Sequence, residues 1–194
     1  MRVNEPSAHI PPAEVLRAAS DPIVTFYLGK SADSEGRRLD QIWGWNNREL
    51  EWTHDYIQWL FPLRERSQFN PGAPILTAES IDAFRKNDDL RNRLTTSVQV
   101  MLKFYGLKSL VAADGSIEIS RAPDFNERRR EWLTAGNHNF LRLTRILKSL
   151  RTLGLPNWAQ ALFASLDQIY RENSHEIGAR TFAYWKSAAN APND

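Results

Sequence analysis

Apolar residues recur along this chain with a helical period almost from end to end. Leu39, Ile42 and Trp43 follow Asp33, a residue suited to cap a short helix, and the pattern breaks at Gly44 to Asn47. From about Arg48 to Phe61, the residues Trp52, Tyr56, Trp59 and Leu60 share a stripe at helical spacing, flanked by Leu50, Ile57 and Phe61, and Pro62 ends the run. The spacing predicts one continuous central helix, with Trp52, Tyr56 and Trp59 on an apolar side that covers more than half of its circumference. Its narrow polar sector holds Glu51, His54, Asp55 and Gln58.

Beyond the loop Pro71-Gly72-Ala73-Pro74, Thr77 can cap a helix holding Ile81 and Phe84. Asp88 precedes a clean amphipathic run through Leu90, Leu94, Val98, Met101, Leu102 and Tyr105, which Gly106 stops. Between Leu110 and Ile119 the helical period fails, and Asp114-Gly115 predicts the turn of a small β-hairpin. Asp124 opens a helix with Phe125, Trp132 and Leu133 that Gly136 ends. Asn137 then caps a long helix in which Phe140, Leu143, Ile146, Leu147, Leu150 and Leu153 share a face, opposite Arg142, Arg145, Lys148 and Arg151. Two more helices follow, one around Trp158 to Tyr170 and one opened by Ser174 and running past Trp185. With no repeat or low-complexity linker, these patterns predict an all-α single domain over 1–194 of roughly eight helices, with flexible ends at residues 1–10 and 190–194.

Composition narrows the chemistry. The chain of 194 residues has 42% hydrophobic and 25% charged residues, a globular balance that excludes a disordered or collagen-like chain. The absence of cysteine removes disulfides, thiol catalysis and cysteine metal sites. The first residues hold no apolar run of the signal-peptide kind, and the longest uncharged stretch, Thr152 to Leu166, is too short for a membrane span and contains Pro156. The expectation is a soluble, cytoplasmic protein without a transmembrane segment. Its net charge of +2 is too small to signal nucleic-acid binding by itself. The candidate basic clusters are Arg128-Arg129-Arg130 and the four cations of the long helix, which read either as a solvated face or as a weak phosphate-binding one. No docked motif offers base-edge contacts, so no specific nucleic acid is expected as a partner.

No Walker loop, G-x-S-x-G, G-x-G-x-x-G or H-E-x-x-H is present. Glu51 and Asp55, four residues apart, repel unless a cation, a metal or a ligand sits with them; alternatively their sector faces water, or a carboxylate holds His54. Glu51-Trp52-Thr53-His54 and Glu172-Asn173-Ser174-His175 have the Glu-x-x-His spacing of di-iron bundles, which makes Glu51, His54, Glu172 and His175 an alternative metal set. At Asn137-His138-Asn139, free helix N–H groups could receive an anion or a ligand carboxylate, the alternative being ordinary capping.

Two segments resemble the signature blocks of the opioid growth factor receptor conserved region. They are His54-Asp55-Tyr56-Ile57-Gln58-Trp59-Leu60-Phe61-Pro62-Leu63-Arg64 and Asn137-His138-Asn139-Phe140-Leu141-Arg142-Leu143-Thr144-Arg145-Ile146-Leu147-Lys148-Ser149-Leu150. Thr25-Phe26-Tyr27, Met101 to Gly106 and Leu153-Gly154-Leu155 support the match, which runs from about Asp21 to Trp185. The resemblance implies a receptor-like, non-enzymatic domain that binds a peptide or small-molecule ligand of unknown identity, with no cofactor and an oligomeric state the sequence leaves open. Candidate ligand-binding residues are His54, Asp55, Gln58 and Arg64 from the first block, with Asn137, His138, Asn139, Arg142 and Arg145 from the second. A metal-dependent enzyme using Glu51 and His54 is the alternative. If the blocks form one site, the Glu51 to Gln58 sector should meet the helix that begins at Asn137, with Arg142 or Arg145 facing an acid.

Overall fold

In a computed structural model that describes residues 21–67 and 70–190, the local signals of the sequence close into helices around one connected apolar core. The order is α1 (Pro22–Tyr27), α2 (Leu39–Trp43), α3 (Asn47–Trp52), α4 (Ile57–Leu60), α5 (Ala78–Lys86), α6 (Asp88–Phe104), β1 (Leu107–Val111), β2 (Ile117–Arg121), α7 (Phe125–Trp132), α8 (Asn139–Thr152), α9 (Pro156–Glu172), α10 (Ser174–Ile177) and α11 (Ala179–Asn190). The expected ends at 1–10 and 191–194 lie outside the described residues, whereas Asn190 closes α11.

Two helix starts carry the caps that their residue types favour. Thr77 Oγ1 accepts from the Ser80 N–H to start α5, and Asn87 Oδ1 accepts from Asp89 and Leu90 to start α6. Gly106, at φ +72°, turns the chain out of α6 into β1 in the left-handed conformation that a side chain resists. β1 and β2 pair antiparallel, Leu107 opposite Arg121 through Val111 opposite Ile117, so the hairpin is longer than the Leu110 to Ile119 stretch read from the sequence.

Among the described residues eleven helices stand where about eight are expected for the chain. The Ser174 helix divides at Gly178, whose φ of +76° is incompatible with helical continuation. α1 is capped by Asp21, whose carboxylate accepts from Ile23 and Val24. The Arg48 to Phe61 helix divides at Thr53, where the backbone becomes extended. The division corrects the expected stripe: Trp52 is 74% exposed, while Tyr56, Trp59 and Leu60 are buried. Asp33 does not cap a helix directly. Its carboxylate accepts from the N–H groups of Glu35 and Arg37 and pairs with the Arg37 guanidinium, fixing the loop that leads to α2.

α8 is the spine, packed against α9 and α11, while α6 carries α5 and β1. Buried aromatic side chains stitch these layers through their polar atoms. Trp185 Nε1 donates to Phe140 O, Trp132 Nε1 to Tyr105 O, and Tyr56 Oη to Leu50 O. No helix of the described residues is long and apolar enough to cross a membrane.

Candidate functional site

The break at Thr53 leaves the last carbonyls of α3 without helical partners, and α8 supplies the missing donor. Arg142, 5% exposed, directs Nη1 to Leu50 O at 2.9 Å and Nη2 to Thr53 O at 2.8 Å, with the Tyr56 ring against its guanidinium. Its charge is balanced by Glu51, 3.8 Å away. One turn earlier, the wholly buried Asn139 donates from Nδ2 to Glu51 Oε2 at 3.0 Å and accepts from Arg142 Nη1 and Tyr105 Oη. The second signature segment therefore meets the turn that leads into the first, at Glu51, and touches the first itself at Tyr56.

This contact takes Arg142 out of the basic face of α8, while Lys148 remains exposed. Arg145 donates to Phe61 O at 3.0 Å, Arg151 to Ala189 O at 2.8 Å, and Lys148 pairs with Glu65 at 3.1 Å. Each cation is directed at a carbonyl or carboxylate of a neighbouring segment, which ties α8 to its surroundings. Burial pulls the Arg145 guanidinium below its ordinary pKa, partly offset by Glu65.

A cleft of about 490 Å³ opens between the two segments. The candidates His54, Gln58, His138, Arg142 and Arg145 line it, together with Ile57, Leu63, Ser67, Leu141, Thr144 and Lys148, which the sequence reading did not single out as site residues. Leu141 and Lys148 are findable in retrospect, since they follow His138 at i+3 and i+10 on α8. Gln58, expected in an open polar sector, is buried; its carboxamide donates to Asp55 O at 2.9 Å when its NH2 faces the carbonyls, with Ser67 Oγ at its other end. The His54 and His138 rings lie 5.2 Å apart at the cleft. His138 is held below the ordinary histidine pKa, chiefly by burial and then by the charge of Arg142, against the opposing pull of Glu51.

Four of the nine candidates lie outside this lining. Asp55 pairs with Arg37 at 2.9 Å, and Arg64 is exposed on the segment that follows α4. Asn137 Oδ1 accepts from the Asn139 N–H, and its Nδ2 donates to Glu131 O and Thr134 Oγ1. The Asn139 N–H that could have received an anion is thus occupied by the Asn137 side chain, while His138, the N-cap residue, makes no side-chain cap bond. Asn139 is consumed by Glu51, Asn137, Tyr105 and Arg142.

The alternative metal set does not assemble either. Because α3 ends at Trp52, Glu51 and His54 do not share a helix face; Glu172 pairs with Arg121 at 2.7 Å, and His175 is exposed. Among the described residues no group of three or more His, Asp or Glu side chains is arranged to hold a metal ion.

Comparison with known proteins converges on one family. Residues 24–190 match the opioid growth factor receptor (OGFr) conserved region. The opioid growth factor receptor-like protein 1 of Xenopus tropicalis is 38% identical over 141 residues, 71% of this chain and 27% of that protein. The opioid growth factor receptor of Mus musculus is 42% identical over 122 residues, 63% of this chain and 19% of the relative, and that of Homo sapiens is 39% identical over 122 residues, 63% and 17%. The chain therefore spans less than a third of the length of these relatives. No solved structure matches it.

Proposed function

The chain belongs to the opioid growth factor receptor conserved-region family, and from that membership we propose that it is a non-enzymatic binding domain whose two signature segments enclose the seat of a short peptide or small-molecule ligand. The observation that carries the reading is the cleft itself. At about 490 Å³ it falls within the range of small-ligand sites, about 300–1,000 Å³, and it combines apolar walls with a few convergent polar groups. Its walls are held rigidly by Arg142, Arg145 and Asn139, the kind of support that keeps a site ready before its ligand arrives. The relatives are named as receptors for opioid growth factor, and the proposal brings to this chain the receptor-like capture of a ligand, in a soluble protein of the cytoplasm.

Native mass spectrometry of gently purified chain, compared with a Leu141→Glu variant of equal helicity, tests the proposal. Leu141 is 58% exposed at the cleft, so a carboxylate there should block the seat without disturbing the core. The expected result is a compound or peptide carried by the parent and absent from the variant. A parent that carries nothing, and whose binding to a library of short peptides and metabolites is unchanged by Leu141→Glu, would refute the reading. Stoichiometric iron, manganese or zinc lost on Glu51→Ala would replace it with a metal-dependent enzyme.

A further inference from the structure

The cleft is asymmetric in charge. Its lining contains Arg145 and Lys148 at one end and the His54–His138 pair at the other, and among the described residues it contains no carboxylate. Arg142 offers little to a visitor, because both of its terminal nitrogens already serve carbonyls of the Leu50 to Thr53 turn. Lys148 is different. Its ammonium lies on the exposed side of α8, and its partner is Glu65, a carboxylate supplied from the far wall by the Leu63 to Ser67 segment. Burial raises the Glu65 pKa, but the hydrogen bond from Lys148 and the nearby charges of Lys148 and Arg145 outweigh it and hold the carboxyl below its ordinary value. The protein thus places an anion of its own over the two cations at this end of the cleft.

We propose that the ligand is an apolar organic anion whose charged end takes the place of Glu65 at Lys148 and Arg145 while its apolar body rests on Ile57, Leu63 and Leu141. The inference rests on the cleft being a binding seat and names the chemistry that fits it. The internal Glu65–Lys148 pair is an exposed one, so exchanging one anion for another costs little, and a ligand that also covers the apolar walls gains by the exchange. Other anionic partners fit less well. A phosphate group draws on free helix N–H donors and bidentate arginine, whereas here the Asn139 N–H is taken by Asn137 and Arg142 is spent. An acidic amphipathic helix, about 10–12 Å across, is bulky for a cleft of about 490 Å³ that Glu65 and Lys148 bridge.

The test titrates the whole chain with two fluorescent probes of the same apolar shape, 1-anilinonaphthalene-8-sulfonate and the neutral N-phenyl-1-naphthylamine. The sulfonate is expected to bind one per chain and at least about tenfold more tightly than the neutral probe, the scale of one charge-assisted contact. Lys148→Met should remove that preference while sparing the neutral probe. Glu65→Gln should tighten sulfonate binding about two- to fivefold by removing the internal competitor. Both substitutions are at exposed positions, and circular dichroism confirms that the variants are folded. Equal affinity for the two probes, with both lost in Leu141→Glu, would overturn the anion preference while leaving the cleft a binding seat. Sulfonate binding indifferent to both Lys148→Met and Leu141→Glu would place the probe elsewhere and overturn the proposal together with the reading beneath it.

Discussion

Arg142 Nη1 donates to the carbonyl oxygen of Leu50 at 2.9 Å, so a side chain of the second signature segment caps the helix that leads into the first. Three residues of α8, Asn139, Arg142 and Arg145, hold the C-terminal ends of α3 and α4, two helices too short to persist alone. Removing the Arg142 guanidinium strands the Leu50 and Thr53 carbonyls and leaves Glu51 without its balancing charge. Arg142→Met is therefore expected to cost about 3 kcal/mol or more in urea denaturation. Lys148→Met, which breaks only an exposed pair, should stay within about 1 kcal/mol.

Trp52 and Trp59 share one apolar stripe in the sequence but have opposite fates in the fold. Trp59 is buried and its ring lies 5.2 Å from that of Phe26, whereas Trp52 is exposed as the last residue of α3. Trp59→Ala should cost about 3–5 kcal/mol, and Trp52→Ala should fall within about 0.5 kcal/mol. Melting curves of the two variants check this, and comparable losses would restore the continuous helix.

What was legible follows from which interactions are local. Thr77 and Gly106 mark helix ends through their own backbone and side-chain geometry, and each boundary lies where the residue type places it. The break at Thr53 is decided by Arg142, nearly ninety positions away, whose donors make an interrupted helix tolerable. A partial signal existed: Asn139 stands at helical spacing from Leu143, Ile146 and Leu150, and Arg142 from Ile146, so both polar residues fall on the buried stripe of α8. Of the candidate site, the residues facing the cleft came from matching two long segments, while Asp55, Asn137 and Asn139 are uncommon polar residues engaged in holding the fold.

Gly106 should tolerate no side chain. At φ +72° a Cβ is strained in itself, and it would stand 2.8 Å from the Phe125 Cα and 2.9 Å from the Arg128 Cβ. Since backbone of α7 cannot yield as a flexible side chain would, Gly106→Ala is expected to lower stability by at least about 2 kcal/mol. Chemical denaturation measures it, and a neutral result would show that the α6 to β1 turn can relax.

The His138 ring gives the domain a pH dependence whose sign follows from its surroundings. Burial and the neighbouring charges of Arg142 and His54 disfavour its protonation in the folded protein, and Glu51 at 3.6 Å only partly offsets them. The folded-state pKa therefore lies below the unfolded value of about 6.5. Above that value neither state holds the proton, and the residue leaves stability unchanged. As pH falls through 6.5 toward the folded pKa, the unfolded chain takes up the proton first and stability declines. The parent should thus lose stability more steeply than His138→Gln between pH 7.5 and 5, while the two run parallel above pH 7.5, in denaturation curves recorded across that range. Parallel curves over the whole interval would mean that solvent at this partly exposed ring removes the cost of burying its charge and screens it from Arg142. A steeper loss in the variant would mean that Glu51 prevails, and that His138 and Glu51 form an ion pair at the mouth of the cleft.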